Sequence, residues 1–113
     1  MQIIVDLDGT ICTEEKTFSR SLAKPINKAA QTLETLYNEG HTIIIYSARS
    51  WQEYEMTVQW LKEHAIKYHQ LILGKPIGDI WLDDRAIRFD TWEKAMNDIQ
   101  TVKKKQAIKQ KSE

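Results

Sequence analysis

Two aspartates, Asp6 and Asp8, follow a short apolar run at the start of the chain, and Gly9 and Thr10 come directly after them. Two carboxylates this close together cannot both stay ionised in a compact pocket without a cation or a shared proton. Carboxylate oxygens suit Mg²⁺ as ligands, and a carboxylate can also attack an electrophile as a nucleophile. These residues therefore predict a metal site, a carboxylate nucleophile, or both.

Further polar residues follow later apolar segments of the chain. Ser47 comes after a run of β-branched residues, Lys75 lies in a Gly-Lys-Pro turn, and Asp83 and Asp84 follow a third apolar segment. Hydroxyl, ammonium and carboxylate groups of this kind can together hold an anion and a metal ion. We therefore expect them to belong to the same site as the first two aspartates.

The elements that must position these side chains alternate between strands and helices. Apolar runs predict strands, and apolar residues three or four positions apart predict helices. The predicted strands are residues 2–5, 42–46, 71–73 and 79–82. The predicted helices run from Pro25 to a C-terminal cap at Gly40, over residues 51–64, and from Trp92 to about residue 105, while residues 12–24 form a loop or a small hairpin.

Residue types inside these elements predict how the elements pack. The continuous β-branched run at residues 42–46 is typical of a strand that is buried on both faces. Tyr54, Val58 and Leu61 have helical spacing and are expected to face the core together. Thr91 or Asp90 is expected to cap the last helix.

Strands that alternate with helices imply a parallel sheet with right-handed crossovers. Ligands of such sheets bind at the carboxyl ends of the strands. Asp6, Ser47 and Asp83 each lie at or just beyond a predicted strand end, and Lys75 follows the short third strand. We therefore predict one α/β Rossmann-like domain over residues 1–113, with three layers, a central parallel sheet and no cap domain, and with these side chains gathered at one edge.

A phosphate ester is a ligand that fits these residue types. Its charge must be neutralised, and its bridging oxygen must gain a proton as it leaves. A divalent cation, a lysine, a serine hydroxyl and main-chain amides can do the first. One carboxylate can form an acyl phosphate while a second acts as general acid and then as general base. Asp6 and Asp8 provide both carboxylates, and Gly9 lets the main chain approach the phosphate closely.

The four segments together resemble the haloacid dehalogenase (HAD) superfamily of aspartate-nucleophile phosphatases. Its four motifs occur in order at residues 3–10, 43–47, 75 and 80–84. Residues 68–76 and 82–87 further resemble small phosphatases found with bacterial capsule and surface-polysaccharide genes. The tripeptides Ser47-Ala48-Arg49 and Asp83-Asp84-Arg85 are similar to the phosphatase domain of polynucleotide kinase 3′-phosphatases. The resemblance spans most of the chain.

This resemblance implies catalytic and metal-binding roles. Asp6 would be the nucleophile and a Mg²⁺ ligand, and Asp8 would be the acid and base, with its main-chain carbonyl also on the metal. Lys75 would bridge the nucleophile and the phosphate. Asp84 would be the direct metal ligand of the acidic pair, and Asp83 would act through water or orient the site.

The resemblance also implies substrate contacts and a topology. Ser47 and the amide of Ala48 would hold the phosphoryl oxygens, beside the main chain of Gly9 and Thr10. Arg49 would either clamp the substrate through a bidentate contact or form a surface salt bridge. The family topology would place the strand before Asp6 between the other two motif strands.

Size and composition place limits on the class of protein. A chain of 113 residues forms a single domain, and it contains no apolar run that could span a bilayer and no signal-peptide pattern. The one cysteine, Cys12, cannot form an internal disulfide, which favours a reducing compartment and hence the cytoplasm.

The charges are unevenly distributed although sixteen basic and sixteen acidic residues cancel. From Thr91 onward six lysines face three acidic residues, a balance of plus three, so the remainder carries minus three. Residues 103–113 are interpreted as a basic helix end that frays. A nucleic-acid contact is disfavoured because no aromatic residues stand between these lysines.

Several functions agree with these residues to different degrees. The leading interpretation is a Mg²⁺-dependent phosphomonoesterase for a small sugar phosphate or related metabolite, and the second is a nucleotide or polynucleotide-end phosphatase. A receiver-like signalling domain is rejected, because its phosphoacceptor aspartate would stand mid-chain where this sequence has Ser47. A non-catalytic family member that only binds a partner is the remaining alternative.

The loops that could carry a cap are short. Residues 12–24 and 47–51 leave no room for a folded insertion, so we expect an open pocket. The resemblance implies that capless members of the family either take large substrates or complete their sites by oligomerising. The sequence therefore predicts a homo-oligomer whose neighbour shapes substrate choice.

Overall fold

The computed structural model describes residues 1–112, with side chains as far as Lys111. Three strands, β1 (Gln2–Val5), β2 (Thr42–Tyr46) and β3 (Gln70–Ile72), form a parallel sheet in the order β1-β2-β3. The helices are α1 (Ala29–Asn38), α2 (Tyr54–Glu63) and α3 (Trp92–Ser112). The predicted α/β class with a parallel sheet is confirmed.

The register of the sheet separates a buried face from a more open one. Ile3 to Val5 pair with residues 43–45 of β2, and Ile45 in turn pairs with Leu71 of β3. On one face Val5, Ile45 and Leu71 are buried, whereas Ile4 on the other face is largely exposed. The prediction that residues 42–46 form a strand buried on both faces is therefore wrong, since buried and partly exposed residues alternate along β2.

Helix α1 begins later than predicted. Pro25 does not begin the helix, because Pro25 and Cys12 form an isolated antiparallel β-bridge. The amide of Ile26 also donates to the carbonyl of Ile11 at 2.9 Å. The helix starts at Ala29 and buries Ala29, Leu33 and Leu36. These contacts close the segment before α1 into a loop, which is one of the two forms that the sequence predicts.

Gly40 ends α1 as predicted. Its φ of +93° is in the left-handed region. Its amide donates to Tyr37 O at 3.1 Å, and the amide of His41 donates to Leu36 O at 3.2 Å. This pair of bonds is the Schellman arrangement, which satisfies the last carbonyls of a helix.

Helix α2 follows a 3-10 turn over Trp51–Glu53, and its buried face differs from the predicted one. Thr57, Trp60 and Leu61 are buried, while Tyr54 is exposed. Both polar members of this buried face have partners: Trp60 Nε1 donates to Ala23 O at 2.8 Å, and the Thr57 hydroxyl accepts from an arginine. Satisfied hydrogen bonds allow polar groups to be buried where an apolar pattern would not place them.

The predicted fourth strand does not form. Residues 79–82 carry no strand pairing in the part of the chain that is described, and Ile80 and Leu82 are 83% and 99% exposed. The Asp83 carboxylate accepts the amide of Arg85 at 2.8 Å, which turns the chain directly after this segment. With three strands, β2 and not β1 is the central one, contrary to the expected topology.

The chain divides into two compact units, one over Met1–Asp79 and a second that begins at Ile80. The first contains the sheet, α1 and α2, and the second contains α3. Thr91 caps α3 as predicted, accepting the amide of Lys94 at 3.2 Å. The helix continues to Ser112, beyond the predicted end near residue 105, because this stretch has no Gly or Pro and is rich in helix-forming residues. Fraying of residues 103–113 stays a prediction, and Glu113 lies outside the described residues.

Among the helices of residues 1–112, none has the length and apolar character that a membrane crossing requires. The loop at residues 12–24 contains only a 3-10 turn, Thr17–Leu22, which agrees with the expectation of a short loop at that position.

Candidate active site

Asp6 and Lys75 meet at the carboxyl edge of the sheet. Asp6 follows the last residue of β1, and its Oδ1 accepts the amide of Leu7 at 2.9 Å. Lys75 Nζ lies 3.8 Å from the same oxygen and 5.6 Å from the centre of the Tyr46 ring. The Asp6 side chain is 44% exposed, so a carboxylate with a cation beside it faces solvent.

Main-chain hydrogen bonds join the loop after β2 to the loop after β3. The amide of Ser47 donates to Ile72 O, that of Lys75 to Ser47 O and that of Gly74 to Arg49 O, each at 2.9 Å. Gly74 has a φ of +78°, which a residue with a Cβ rarely adopts. This ladder extends the β2–β3 pairing beyond the strands and places Lys75 beside Asp6.

A tight turn follows β1 and presents Asp8. The carbonyl of Leu7 accepts the amides of Thr10, Ile11 and Cys12 at 3.1, 2.8 and 3.2 Å. Gly9 has a φ of +83°, and its amide donates to Cys12 O at 2.8 Å. The amides of Gly9 and Thr10 are thus engaged within the turn, and their predicted contact with a substrate stays a prediction.

Asp8 is held by Arg49 through two hydrogen bonds. Arg49 Nε lies 3.0 Å from Asp8 Oδ2, and one terminal guanidinium nitrogen lies 2.8 Å from Oδ1. The other terminal nitrogen donates to Thr57 Oγ1 at 2.9 Å. Burial alone would lower the pKa of the Arg49 guanidinium, but the hydrogen bonds and charge of Asp8 raise it above its ordinary value.

Neither role predicted for Arg49 matches this geometry. The side chain is 1% exposed, so it forms no surface salt bridge, and its guanidinium is turned to protein groups rather than to a ligand. Sequence reasoning missed Thr57, its partner on α2. The available signal was a threonine between the apolar positions of an amphipathic helix, since a polar group on a buried face requires a hydrogen-bond partner.

Cys12 lies close to both Asp8 and Arg49. Its Sγ is 3.6 Å from Asp8 Oδ1 and 3.7 Å from Arg49. Burial, together with the neighbouring Asp8 charge, raises the pKa of the Cys12 thiol to about 12. The thiol is therefore a packed neutral group rather than a nucleophile.

The remaining residues with predicted substrate contacts differ in exposure. Ser47 is buried, and its Oγ accepts the amide of Arg49 at 3.1 Å, whereas Ala48 is exposed. Ala48 lies between Ser47 and Arg49, whose carbonyls accept the amides of Lys75 and Gly74. The contacts of both residues with a phosphate stay predictions.

The predicted metal ligands are divided between the two units of the chain, and their joint binding of a metal stays a prediction. Asp6 and Asp8 belong to the first unit, whereas Asp83 and Asp84 belong to the second. Within residues 1–112, no three acidic, imidazole or thiol side chains form a group that could hold a metal ion. The exposed carboxylate of Asp6 is a hard oxygen donor whose chemistry suits Mg²⁺.

Comparisons with known proteins agree with this architecture. A family model described as haloacid dehalogenase-like hydrolase matches residues 3–110. A crystal structure of an MCSG target from Vibrio cholerae is 27% identical, with a TM-score of 0.67, and the match covers 77% of this chain and 82% of that one. No curated protein matches the chain.

Two further solved structures share the fold at lower identity. A conserved protein from Bacteroides thetaiotaomicron is 24% identical, covers 89% of this chain and 90% of its own, and has a TM-score of 0.65. A chain of the Pnkp1/Rnl/Hen1 RNA repair complex is 22% identical with a TM-score of 0.57, over 64% of this chain and 25% of that chain.

The family match covers almost the whole length of the chain and includes both Asp6 and Lys75, which meet at the sheet edge. The chain therefore belongs to the haloacid dehalogenase-like hydrolases.

Proposed function

We propose that this chain is a Mg²⁺-dependent phosphomonoesterase that forms an aspartyl-phosphate on Asp6 and acts on a small sugar phosphate or related metabolite. The observation that carries the proposal is the 3.8 Å approach of Lys75 Nζ to Asp6 Oδ1 at the carboxyl edge of the sheet. A cation at this distance offsets the repulsion between a carboxylate nucleophile and an anionic phosphate.

The proposed reaction has two steps. An Asp6 oxygen attacks phosphorus, the bond to the leaving oxygen breaks, and Asp8 in its acid form gives that oxygen a proton. Asp8, now a carboxylate, takes a proton from a water molecule that attacks phosphorus and releases Asp6. The sum is ester plus water giving alcohol plus phosphate.

Lys75 would hold the phosphoryl oxygens during both steps, with Ser47 and the main chain of Ala48 at the same edge. Asp6, the carbonyl of Asp8 and one acid of the Asp83–Asp84 pair would hold Mg²⁺. Bound there, the ion would supply positive charge for the phosphoryl group. We place the enzyme in the cytoplasm, where the buried free thiol of Cys12 would remain reduced.

The test of the nucleophile is Asp6→Asn, with the surface variant Asp98→Asn as a matched control. Hydrolysis of phosphate esters should fall by about 100-fold or more for Asp6→Asn, because an amide cannot form the acyl phosphate. Asp98→Asn only removes an exposed ion pair with Lys94 and should leave the rate unchanged. Retention of a tenth of wild-type activity by Asp6→Asn, free of deamidated protein, would exclude Asp6.

The test of the metal is a Mg²⁺ titration of activity after chelation. The wild type should lose activity with chelator and regain it with Mg²⁺, and Asp84→Asn should need more Mg²⁺ for half-maximal rate. An unchanged titration curve for Asp84→Asn would remove that residue from the ligand set.

The proposed class of substrate is a sugar phosphate or a related metabolite. The resemblance of residues 68–76 and 82–87 to phosphatases of capsule and surface-polysaccharide genes supports a sugar phosphate. A screen of phosphorylated sugars, nucleotides and 3′-phosphate oligonucleotides, each scored by kcat/KM, tests this choice directly.

A phosphatase of nucleotides or polynucleotide ends is the second candidate, and one surface feature favours it. Trp51 is 58% exposed, stacks on Tyr54 at 5.9 Å, and lies against Gly74, next to Lys75. Aromatic side chains of this kind stack with bases. One fold neighbour is a chain of an RNA repair complex, which agrees with this candidate.

Trp51→Ala separates the two candidates. For a nucleic-acid substrate, kcat/KM should fall by about 10-fold with the loss of stacking, and binding should weaken steeply with salt. For a sugar phosphate without a base, salt dependence should be weak. High activity on oligonucleotides at low salt would favour the second candidate over the first.

A further inference from the structure

Arg49 is a buried arginine whose hydrogen bonds are all directed into the protein. It is 1% exposed, and its guanidinium contacts the Asp8 carboxylate twice and the Thr57 hydroxyl once, at 2.8–3.0 Å. Its terminal nitrogens also approach Met56 Sδ at 3.9 Å and Cys12 Sγ at 3.7 Å. A guanidinium so enclosed does not meet a substrate, so its role must be exerted through Asp8.

The two contacts with Asp8 fix the orientation of that carboxylate. A single hydrogen bond would let the group rotate, whereas a fork that binds both oxygens holds the carboxylate plane. Oδ1 also lies 3.6 Å from Cys12 Sγ, whereas Oδ2 has a second lone pair with which Asp8 can accept a proton. Its side chain is 16% exposed, which leaves access for a water molecule.

The fork is itself anchored at two other points. Thr57 ties the guanidinium to α2. The main chain of Arg49 belongs to the ladder, since its carbonyl accepts the amide of Gly74, the neighbour of Lys75. The carboxylate of Asp8 is therefore positioned by the same segment that positions Lys75.

We propose that Arg49 is a positioning residue that fixes the orientation of the Asp8 side chain, so that Asp8 can take a proton from water in the second step. This inference rests on the proposed two-step function. The contact of Arg49 with both Asp8 oxygens keeps the side chain in one orientation when it acts as the base. In that step the water O–H bond breaks, its proton goes to Asp8, the water oxygen bonds to phosphorus, and the bond to Asp6 breaks.

The experiment compares the two steps with 4-nitrophenyl phosphate, whose leaving group needs little help from an acid. Formation of the phosphoenzyme is read from kcat/KM and from the burst of nitrophenol, and its hydrolysis from the steady-state kcat. Arg49→Lys keeps the charge and removes the fork. We expect its kcat to fall by about 10- to 100-fold, with kcat/KM nearly unchanged and a burst approaching one nitrophenol per active site.

Two further variants separate positioning from general structural damage. Thr57→Val removes the hydrogen bond that anchors Arg49, so its kcat should also fall, by a smaller factor, with kcat/KM nearly unchanged and a burst of nitrophenol. This variant tests the inference even if Arg49→Lys does not fold. Arg20→Gln removes another arginine–carboxylate pair, in which one Arg20 nitrogen lies 2.6 and 2.8 Å from the two Glu53 oxygens, and it should give no burst. An equal fall of kcat and kcat/KM without a burst, in folded Arg49→Lys or Thr57→Val, would overturn the inference.

The outcome can be distinguished from failure of the proposed function. If Asp6→Asn keeps full activity, the two-step mechanism itself is wrong. If Asp6→Asn is inactive and wild type can be trapped as a phosphoenzyme, but the Arg49 and Thr57 variants show no burst, only the role of Arg49 is wrong.

Discussion

Asp6 and Asp8 are two positions apart and lie in different surroundings. Asp6 is 44% exposed with Lys75 nearby, whereas Asp8 is 16% exposed and bound by a buried arginine. A nucleophile must reach the substrate, and a base must be held in one orientation. The surroundings thus suit the two carboxylates to different tasks.

At the residue scale we predict that Cys12 is unreactive in the folded protein. The thiolate is the reactive form, and burial together with Asp8 raises the thiol pKa to about 12. Labelling with a thiol reagent near neutral pH should be slow in buffer and fast in denaturant. Rapid labelling in buffer, with the fold shown to be intact, would contradict this environment for Cys12.

The candidate residues could be predicted from sequence, but their contacts could not. Asp6 and Lys75 stand out by type and by position after apolar runs. The partner of Arg49 depends on a contact across 41 positions of the chain, which spacing does not reveal. Sequence therefore indicated an arginine near the site and assigned it the wrong neighbours.

At the element scale, the backbone at the C-terminal end of α2 is strained at one residue, and a substitution there can relieve the strain. Ala65 has a φ of +56°, and its amide and that of Ile66 donate to Lys62 O and Leu61 O in the Schellman arrangement. Helices that end in this arrangement usually have glycine at this position, because a Cβ is disfavoured in the left-handed region.

Ala65→Gly should therefore raise the free energy of unfolding by about 0.5–1 kcal/mol, measured by urea denaturation. The control is Ala30→Gly inside α1, which should lower it by about 1 kcal/mol. A loss of stability in both variants would argue against the left-handed conformation of Ala65.

Two helix ends were predicted correctly from local signals, whereas the buried face of α2 was not. Gly40 and Thr91 are local signals, and both act as predicted. The buried face of α2 instead depends on hydrogen bonds of Thr57 and Trp60 to distant residues. The strand predicted at residues 79–82 fails for a related reason, because strand formation requires a pairing partner that the segment itself does not specify.

At the scale of the whole molecule, the exposed apolar segment Ile80–Leu82 leads us to propose a homodimer. Ile80 and Leu82 are 83% and 99% exposed, and exposed contiguous apolar groups mark association surfaces. Residues 91–113 carry plus three and the remainder minus three, so two copies offer complementary charges, and a net charge of zero gives no overall repulsion.

Sedimentation velocity should therefore show a dimer for the wild type and a monomer for Ile80→Glu. The control is Leu22→Glu, an equally drastic change at an exposed leucine of the first unit, which should leave the dimer intact. A monomeric wild type at assay concentration would contradict the proposal.

The ladder between the loops after β2 and β3 restricts how this protein can be altered. Since the amides of Gly74 and Lys75 each have one fixed acceptor, a single-residue insertion or deletion between Ile72 and Lys75 would shift every bond by one position. The lysine would then turn away from Asp6. Loop length is thus fixed here, and changes of substrate range should be sought by substitution at exposed positions such as Ala48 and Trp51.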